Sequence, residues 1–222
     1  MDNEKAVFYA QLAQGVYTYN FRPAEFQLTA KFENKATDTQ GAFGIAYGDT
    51  FVVVFRGSEE TGIEDWITDL KFIRQVFPYG EGSKKSKVHF GFIEAYRSVR
   101  KVVLQAAKDT ELQQVVTTGH SLGGGLATLA ALDIQFNTGK DVSCYTFGSP
   151  KVGNKNFIAS FNRRVPKTYR FVNRFDLVPS LPPLGYEHVG QLHHLDADSS
   201  EDDALNKVTD HLPLNYIKAL RT

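Results

Sequence analysis

Cysteine is almost missing from these 222 residues. The single Cys144 excludes a disulfide within the chain and any metal site built on cysteines, and its apolar setting (Val142 to Phe147) reads as a buried structural thiol. Net charge is missing too. Lys plus Arg and Asp plus Glu each total 25, so no field of one sign favours nucleic acid or an acidic membrane as a partner. No apolar run approaches the ~18 residues that cross a bilayer, so no transmembrane segment is expected. Met1-Asp2-Asn3-Glu4-Lys5 lacks the charged-then-apolar order of a signal peptide. The expectation is therefore a cytoplasmic protein, with secretion left open through a trimmed signal or a non-classical route. A phosphate-binding loop is not encoded: neither G-x-G-x-x-G nor GK[ST] occurs. The acidic run Asp196, Asp198, Ser200, Asp202 lacks the central glycine of a calcium loop and offers Lys207 where a bidentate Glu is needed. It reads as a solvated loop, and no metal or cofactor is expected.

What is present suits one domain, residues 1–222, with a full core: hydrophobic residues are 42% and charged residues 23%. Glu4 to Tyr17 carries a helical apolar stripe, followed by extended segments at Phe26 to Phe32 and Ala42 to Tyr47. Phe51-Val52-Val53-Val54-Phe55 is apolar at every position, as a strand buried on both faces requires. Beyond it, helices are expected over Gly91 to Lys108, Leu122 to Phe136, Asn154 to Phe161 and Pro213 to Leu220. Strands are expected at Val115 to Thr118, Val142 to Phe147 and Thr168 to Val172. This alternation predicts an α/β fold with a mostly parallel central sheet covered by helices.

Gly119-His120-Ser121-Leu122-Gly123 fits G-x-S-x-G, a pattern that chance alone supplies in roughly one chain in ten of this length. Its context says more than the pattern. A β-branched strand enters it and a helix leaves it, which is the sharp turn that lifts a serine hydroxyl clear of the sheet. His120 is expected to point away from Ser121 and to serve as packing. In such a fold the acid and then the histidine follow the serine. Asp176 qualifies because it lies beyond the C-terminal end of a later strand, where reactive groups collect. Asp133 sits within a helix, and Asp141 precedes a strand at the opposite edge. Of the four later histidines, His211 stands in a loop entering the last helix, whereas His188, His193 and His194 fall in or near an edge strand. Ser121, Asp176 and His211 thus form a candidate nucleophile, acid and base for ester cleavage through an acyl-enzyme.

At this point the chain resembles the class 3 lipases, the group of the secreted fungal triacylglycerol lipases. The resemblance rests on Val53 to Ser58, Asp65 to Leu70, Val88 to Phe92 with Ala95-Tyr96, and Thr118 to Gly124. It continues through Tyr145 to Gly153, Arg174 to Pro179 and Asp210-His211. It implies the α/β-hydrolase fold and a lipase of acylglycerol-type esters in lipid degradation. It also implies an oxyanion hole from Ser58 and the Leu122 N–H, with Asp69 orienting Ser58. The plain alternative for Asp69 is a helix-surface carboxylate. A lid over residues 60–70 is implied as well. Ile63, Trp66, Ile67 and Leu70 fall at i, i+3, i+4 and i+7, which fits a groove cover or an ordinary surface helix packed on the core. The substrate partner would be a lipid or ester, met at a lipid–water interface; oligomeric state is not legible. The missing disulfide cysteines and signal depart from the fungal pattern, and the short Asp176-to-His211 span weakens the case for long acyl chains. The alternatives are a short-chain or feruloyl-type carboxylesterase, a phospholipase A1, or a catalytically silent binding module on the same fold.

Overall fold

The computed structural model describes residues 2–57, 73–80, 85–195 and 209–222. Its centre is a seven-stranded sheet. The strands are β1 (Phe26–Asn34), β2 (Thr39–Ala46), β3 (Thr50–Phe55), β6 (Gln114–His120), β7 (Asp141–Phe147), β8 (Lys167–Asn173) and β9 (Gln191–Leu195), lying in that spatial order. β1, β2 and β3 pair antiparallel, and every pairing from β3 to β9 is parallel. The sheet is therefore mostly parallel, as the alternation of elements predicts. A short antiparallel pair, β4 (Arg74–Val76) with β5 (Lys87–His89), stands apart from it and was not legible in the sequence.

Helices α2 (Phe90–Asp109), α3 (Leu122–Thr138) and α4 (Lys155–Arg164) share one buried cluster; α1 (Asn3–Gly15) and α5 (Pro213–Ala219) share the other. β3 shows how its sequence serves both. Phe51, Val53 and Phe55 enter the first cluster, while Val52 and Val54 enter the second. Successive strand side chains point to opposite faces, so covering both faces demands an unbroken apolar run. α3 is buried from Gly123 through Ile134, which is why that helix is apolar around its whole circumference and not amphipathic. α2 buries Phe92, Ile93, Tyr96, Val99, Val103, Leu104 and Ala107 along one side and turns charged residues such as Arg97, Lys101 and Lys108 to solvent, giving an ordinary surface helix.

The parallel strands deliver their C-terminal ends to one edge. Gly57 follows β3, Ser121 follows β6, Gly148 follows β7 and Asp176 follows β8. Ser121 and Asp176, both singled out from sequence, thus arrive at one rim from different strands, where α/β sheets carry their ligands.

Candidate active site

Ser121 is the N-cap of α3 and has φ 57° and ψ −129°, a left-handed conformation that costs a non-glycine residue of order 1–3 kcal/mol. The surrounding bonds hold it there: its N–H donates to the Phe147 carbonyl at 2.9 Å, and its own carbonyl accepts from the Gly124 N–H at 2.9 Å. The flanking glycines are steric necessities. A Cβ on Gly119 would stand 2.4 Å from the Gly123 carbonyl, and one on Gly123 would stand 2.4 Å from the Phe55 oxygen. Strand, turn and helix can cross this closely only with hydrogen at both positions.

Asp176 sits just past β8, nearly buried, and every hydrogen bond it makes tightens the same corner. Oδ1 accepts from the Val178 N–H at 2.9 Å. Oδ2 accepts from His211 Nδ1 at 2.7 Å and from the Tyr216 hydroxyl at 2.5 Å. A carboxylate only accepts, so Nδ1 carries a proton, and in the neutral ring Nε2 then presents its lone pair. His211 is 1% exposed. Its Nε2 and the Ser121 Oγ are both buried and without a hydrogen-bond partner among the described residues. Burying two polar atoms unsatisfied is costly, and such exceptions concentrate where chemistry is done. Gly148, at φ +58°, closes the corner from β7: a Cβ there would lie 2.9 Å from Asp176 Oδ2 and 2.9 Å from His211 Cε1.

Leu122 occupies the first position of α3, where backbone N–H groups have no carbonyl of their own helix to bond. Ser58, Asp69 and the stripe Ile63, Trp66, Ile67 and Leu70 lie outside the described residues, as does the acidic run from Asp196. Asp141 opens β7 at the opposite edge and pairs with Lys167 at 2.6 Å. Asp133 lies in α3, bonded to Arg100 and Tyr96. His193 and His194 are on the outermost strand β9, and His188 bonds the Pro179 carbonyl at 2.7 Å.

Three neighbours of the corner were not singled out as functional in the sequence: Tyr216, Gly148 and His120. Tyr216 comes from α5, five residues after His211, and burial, reinforced by the adjacent Asp176, pushes its phenol well above the ordinary range. It therefore stays protonated and donates. Gly148 belongs to the Phe147-Gly148-Ser149-Pro150 block that carried the resemblance, but its role becomes visible only when β7 is set beside β8. His120 corrects the expectation of simple packing, because both its ring nitrogens are hydrogen-bonded: Nδ1 with the Tyr17 hydroxyl at 3.0 Å, Nε2 with the His211 carbonyl at 2.5 Å.

A twisted, mostly parallel sheet with a strained serine at the end of a central strand is the architecture of the α/β-hydrolases. The chain superposes on a solved triacylglycerol lipase, described as having a serine protease triad as its catalytic centre, with TM-score 0.80 and 27% identity over 94% of this chain and 92% of that one. The family model "Lipase (class 3)" matches residues 52–186, and the chain belongs to that family. It is 36% identical over 173 residues to a lipase of Rhizomucor miehei, covering 71% of this chain and 46% of that protein. It is also 36% identical over 158 residues to a secreted mono- and diacylglycerol lipase of Fusarium solani, covering 68% and 46%. The chain thus spans about half the length of the relatives it matches.

Proposed function

We propose that the protein is a serine carboxylic-ester hydrolase, a lipase of acylglycerol-type esters, with Ser121 as nucleophile, His211 as general base and Asp176 as the acid that orients it. One observation carries the reading. His211 is fixed through Nδ1 to a buried carboxylate, while its Nε2 and the Ser121 Oγ remain buried without partners among the described residues. Catalytic hydrogen bonds are often open before substrate arrives and tighten in the complex.

In the reaction, His211 Nε2 takes the Ser121 proton as Oγ attacks the ester carbonyl. The imidazolium that forms stands beside Asp176, which meets only neutral donors until then. The oxyanion is met by the Leu122 N–H at the head of α3 and, in this proposal, by Ser58, with Asp69 orienting Ser58; such donors are worth about 3 kcal/mol each in the transition state. His211 then returns the proton to the leaving alcohol. Water repeats the cycle on the acyl-enzyme and frees the acid. Residues 60–70 are proposed as a lid within a single-domain chain, with Ile63, Trp66, Ile67 and Leu70 shielding an acyl groove and meeting a lipid surface when it opens.

The names of the relatives favour acylglycerols as substrate and, since the Fusarium solani relative is described as secreted, an exported enzyme over the cytoplasmic expectation. No described helix is long and apolar enough to cross a membrane.

The decisive experiment is Ser121→Ala, assayed on emulsified monoacyl- and triacylglycerols and on soluble short-chain esters. Hydrolysis should fall by about 10⁴-fold or more with the fold retained. Covalent labelling by an organophosphonate should occur in the wild type and vanish in the variant. Hydrolysis near wild type in Ser121→Ala would end the assignment. A wild type that neither labels nor hydrolyses would indicate a silent binding module.

A further inference from the structure

The residue before the nucleophile does more than fill space. We propose that His120 is a positioning residue for His211, holding its backbone from the elbow side, and that Tyr17 sets the tautomer in which His120 does so. This rests on the roles proposed above for Ser121, His211 and Asp176.

His120 ends β6 and is 1% exposed. Its Nε2 lies 2.5 Å from the carbonyl oxygen of His211. That oxygen has no proton to give, so Nε2 is the donor, and in a neutral ring Nδ1 is then the acceptor. The Tyr17 hydroxyl, 3.0 Å from Nδ1, supplies the matching donor. Burial drives the His120 ring well below its ordinary pKa, and the nearby His211 adds to the effect, so the neutral form this arrangement needs is the one present. Each atom is used in one sense only: Tyr17 Oη–H to His120 Nδ1, then His120 Nε2–H to the His211 carbonyl.

This chain of bonds gives His211 a second fixed point. Asp176 grips the ring at Nδ1, and His120 grips the main chain of the same residue, with the two imidazole centroids 4.5 Å apart. Ring and backbone held together determine where Nε2 stands. The second grip comes from the residue adjacent to Ser121, so nucleophile and base are referenced to the same strand end. A displacement of about 1 Å in such a pair costs on the order of 10²-fold in rate.

Tyr17 lies two residues beyond α1 and reaches the same junction. A Cβ on Gly57 would fall 2.5 Å from its hydroxyl, 2.6 Å from the His120 oxygen and 3.2 Å from the Ser121 Cβ. The end of α1, the turn after β3 and the elbow therefore meet around one hydroxyl. An apolar side chain would fill the volume of His120 without the desolvation cost of a buried imidazole. What only an imidazole or a carboxamide provides is one donor and one acceptor at this spacing.

The test uses His120→Leu, His120→Gln, Tyr17→Phe and the Tyr17→Phe/His120→Leu pair. It measures kcat and KM on p-nitrophenyl butyrate, the rate of organophosphonate labelling, and the thermal midpoint. His120→Leu should lower kcat about 100-fold with KM within about two-fold, and labelling should slow in parallel. His120→Gln, whose amide keeps a donor and an acceptor, should recover to within about ten-fold of wild type. Tyr17→Phe should lose about five-fold alone and little further on the His120→Leu background, because the role proposed for its hydroxyl runs through His120. Wild-type kcat in His120→Leu, no advantage of Gln over Leu, or a Tyr17→Phe loss that adds in full to that of Leu would each overturn the proposal. Should His120→Leu not fold, Tyr17→Phe decides: a lower kcat at unchanged KM and midpoint supports the proposal, and an unchanged kcat sinks it. A wild type that is inert and unlabelled removes the hydrolase reading itself, and this inference with it.

Discussion

Asp133 and Asp176 are both nearly buried carboxylates, and each accepts a hydrogen bond from a fully buried tyrosine, Tyr96 and Tyr216 respectively. Both phenols are pushed well above their ordinary range by burial first and by the neighbouring carboxylate second, so both stay donors. The surroundings then diverge. Asp133 faces a permanent cation: Arg100 meets its two oxygens through Nε at 2.8 Å and Nη2 at 2.9 Å, and Asn137 adds a bond at 2.7 Å. Asp176 has His211, Tyr216 and the Val178 N–H, all neutral donors while His211 is the base. Asp133 ties α2 to α3 with its charge already answered. Asp176 keeps its charge unanswered until a proton reaches His211 Nε2, which is the moment the proposed reaction creates an imidazolium. The same side chain in similar burial is thus a clamp in one place and, in the proposed reaction, a waiting counter-ion in the other.

The comparison breaks most visibly at Asp176. Asp176→Asn preserves size and keeps an oxygen for the Val178 N–H. The amide can also present its N–H₂ to Nδ1, which would force the proton onto Nε2 and remove the base. We expect kcat to fall about 10⁴-fold, or about 5.5 kcal/mol in activation free energy. The urea midpoint should scarcely move. A loss below about ten-fold would show that Asp176 is a clamp like Asp133.

Asp133→Ala should do the reverse. Removing one partner of a buried pair leaves Arg100 and Tyr96 with unmatched groups, at a cost of about 3 kcal/mol in urea unfolding. Arg100 keeps some access to water, which holds the figure at the low end of the usual range. Turnover per folded molecule should equal wild type. A matching fall in kcat would mean that the α2–α3 junction feeds the site.

Tyr216→Phe sharpens the contrast at smaller scale. It removes one of three donors to Asp176 and leaves His211 in place, so kcat should fall about ten-fold, or about 1.4 kcal/mol. The same fall should be absent in Asp133→Ala, and an unchanged kcat in Tyr216→Phe would mean that Asp176 holds His211 without the third donor.

How much of this was legible in the sequence follows from the range of each cause. The elbow is written locally, as a β-branched strand, two glycines that cannot bear a Cβ, and a helix, so Ser121 could be singled out from a short stretch. The parallel core could be read because β3 must be apolar at every position to serve two faces. Asp176 and His211 needed a topological rule as well as their local setting, the one just past a strand end and the other in a loop entering the last helix. The roles of Tyr216, Gly148 and His120 were not legible. Each depends on a contact made across strands or between sheet and helix, 28 to 91 residues away in sequence (176 − 148 = 28; 211 − 120 = 91). The β4–β5 pair escaped because three-residue strands carry no periodicity to detect.

His188 provides the smallest test, a case of burial in which the charged neighbours that shift the ring are cations. Its Nε2 bonds the Pro179 carbonyl, which favours protonation, yet burial outweighs that bond, with Arg170 and Lys151 adding repulsion, and the ring is pushed down to about 3. The sign of the consequence is fixed by linkage. An unfolded chain returns His188 to about 6.5, so below that pH the unfolded state takes up a proton that the folded state refuses. Stability is therefore full above about pH 6.5 and is lost as the pH falls from there toward 3. His188→Gln keeps a donor for Pro179 without a titrating ring. At about pH 5.5 it should recover roughly 1 kcal/mol of the acid-induced loss relative to its own value at neutral pH. His120 is shifted in the same direction, so the variant should flatten the acid slope without abolishing it. Parallel stability–pH curves for wild type and His188→Gln would mean that this ring titrates alike in both states, and that its burial near Pro179 carries no charge penalty.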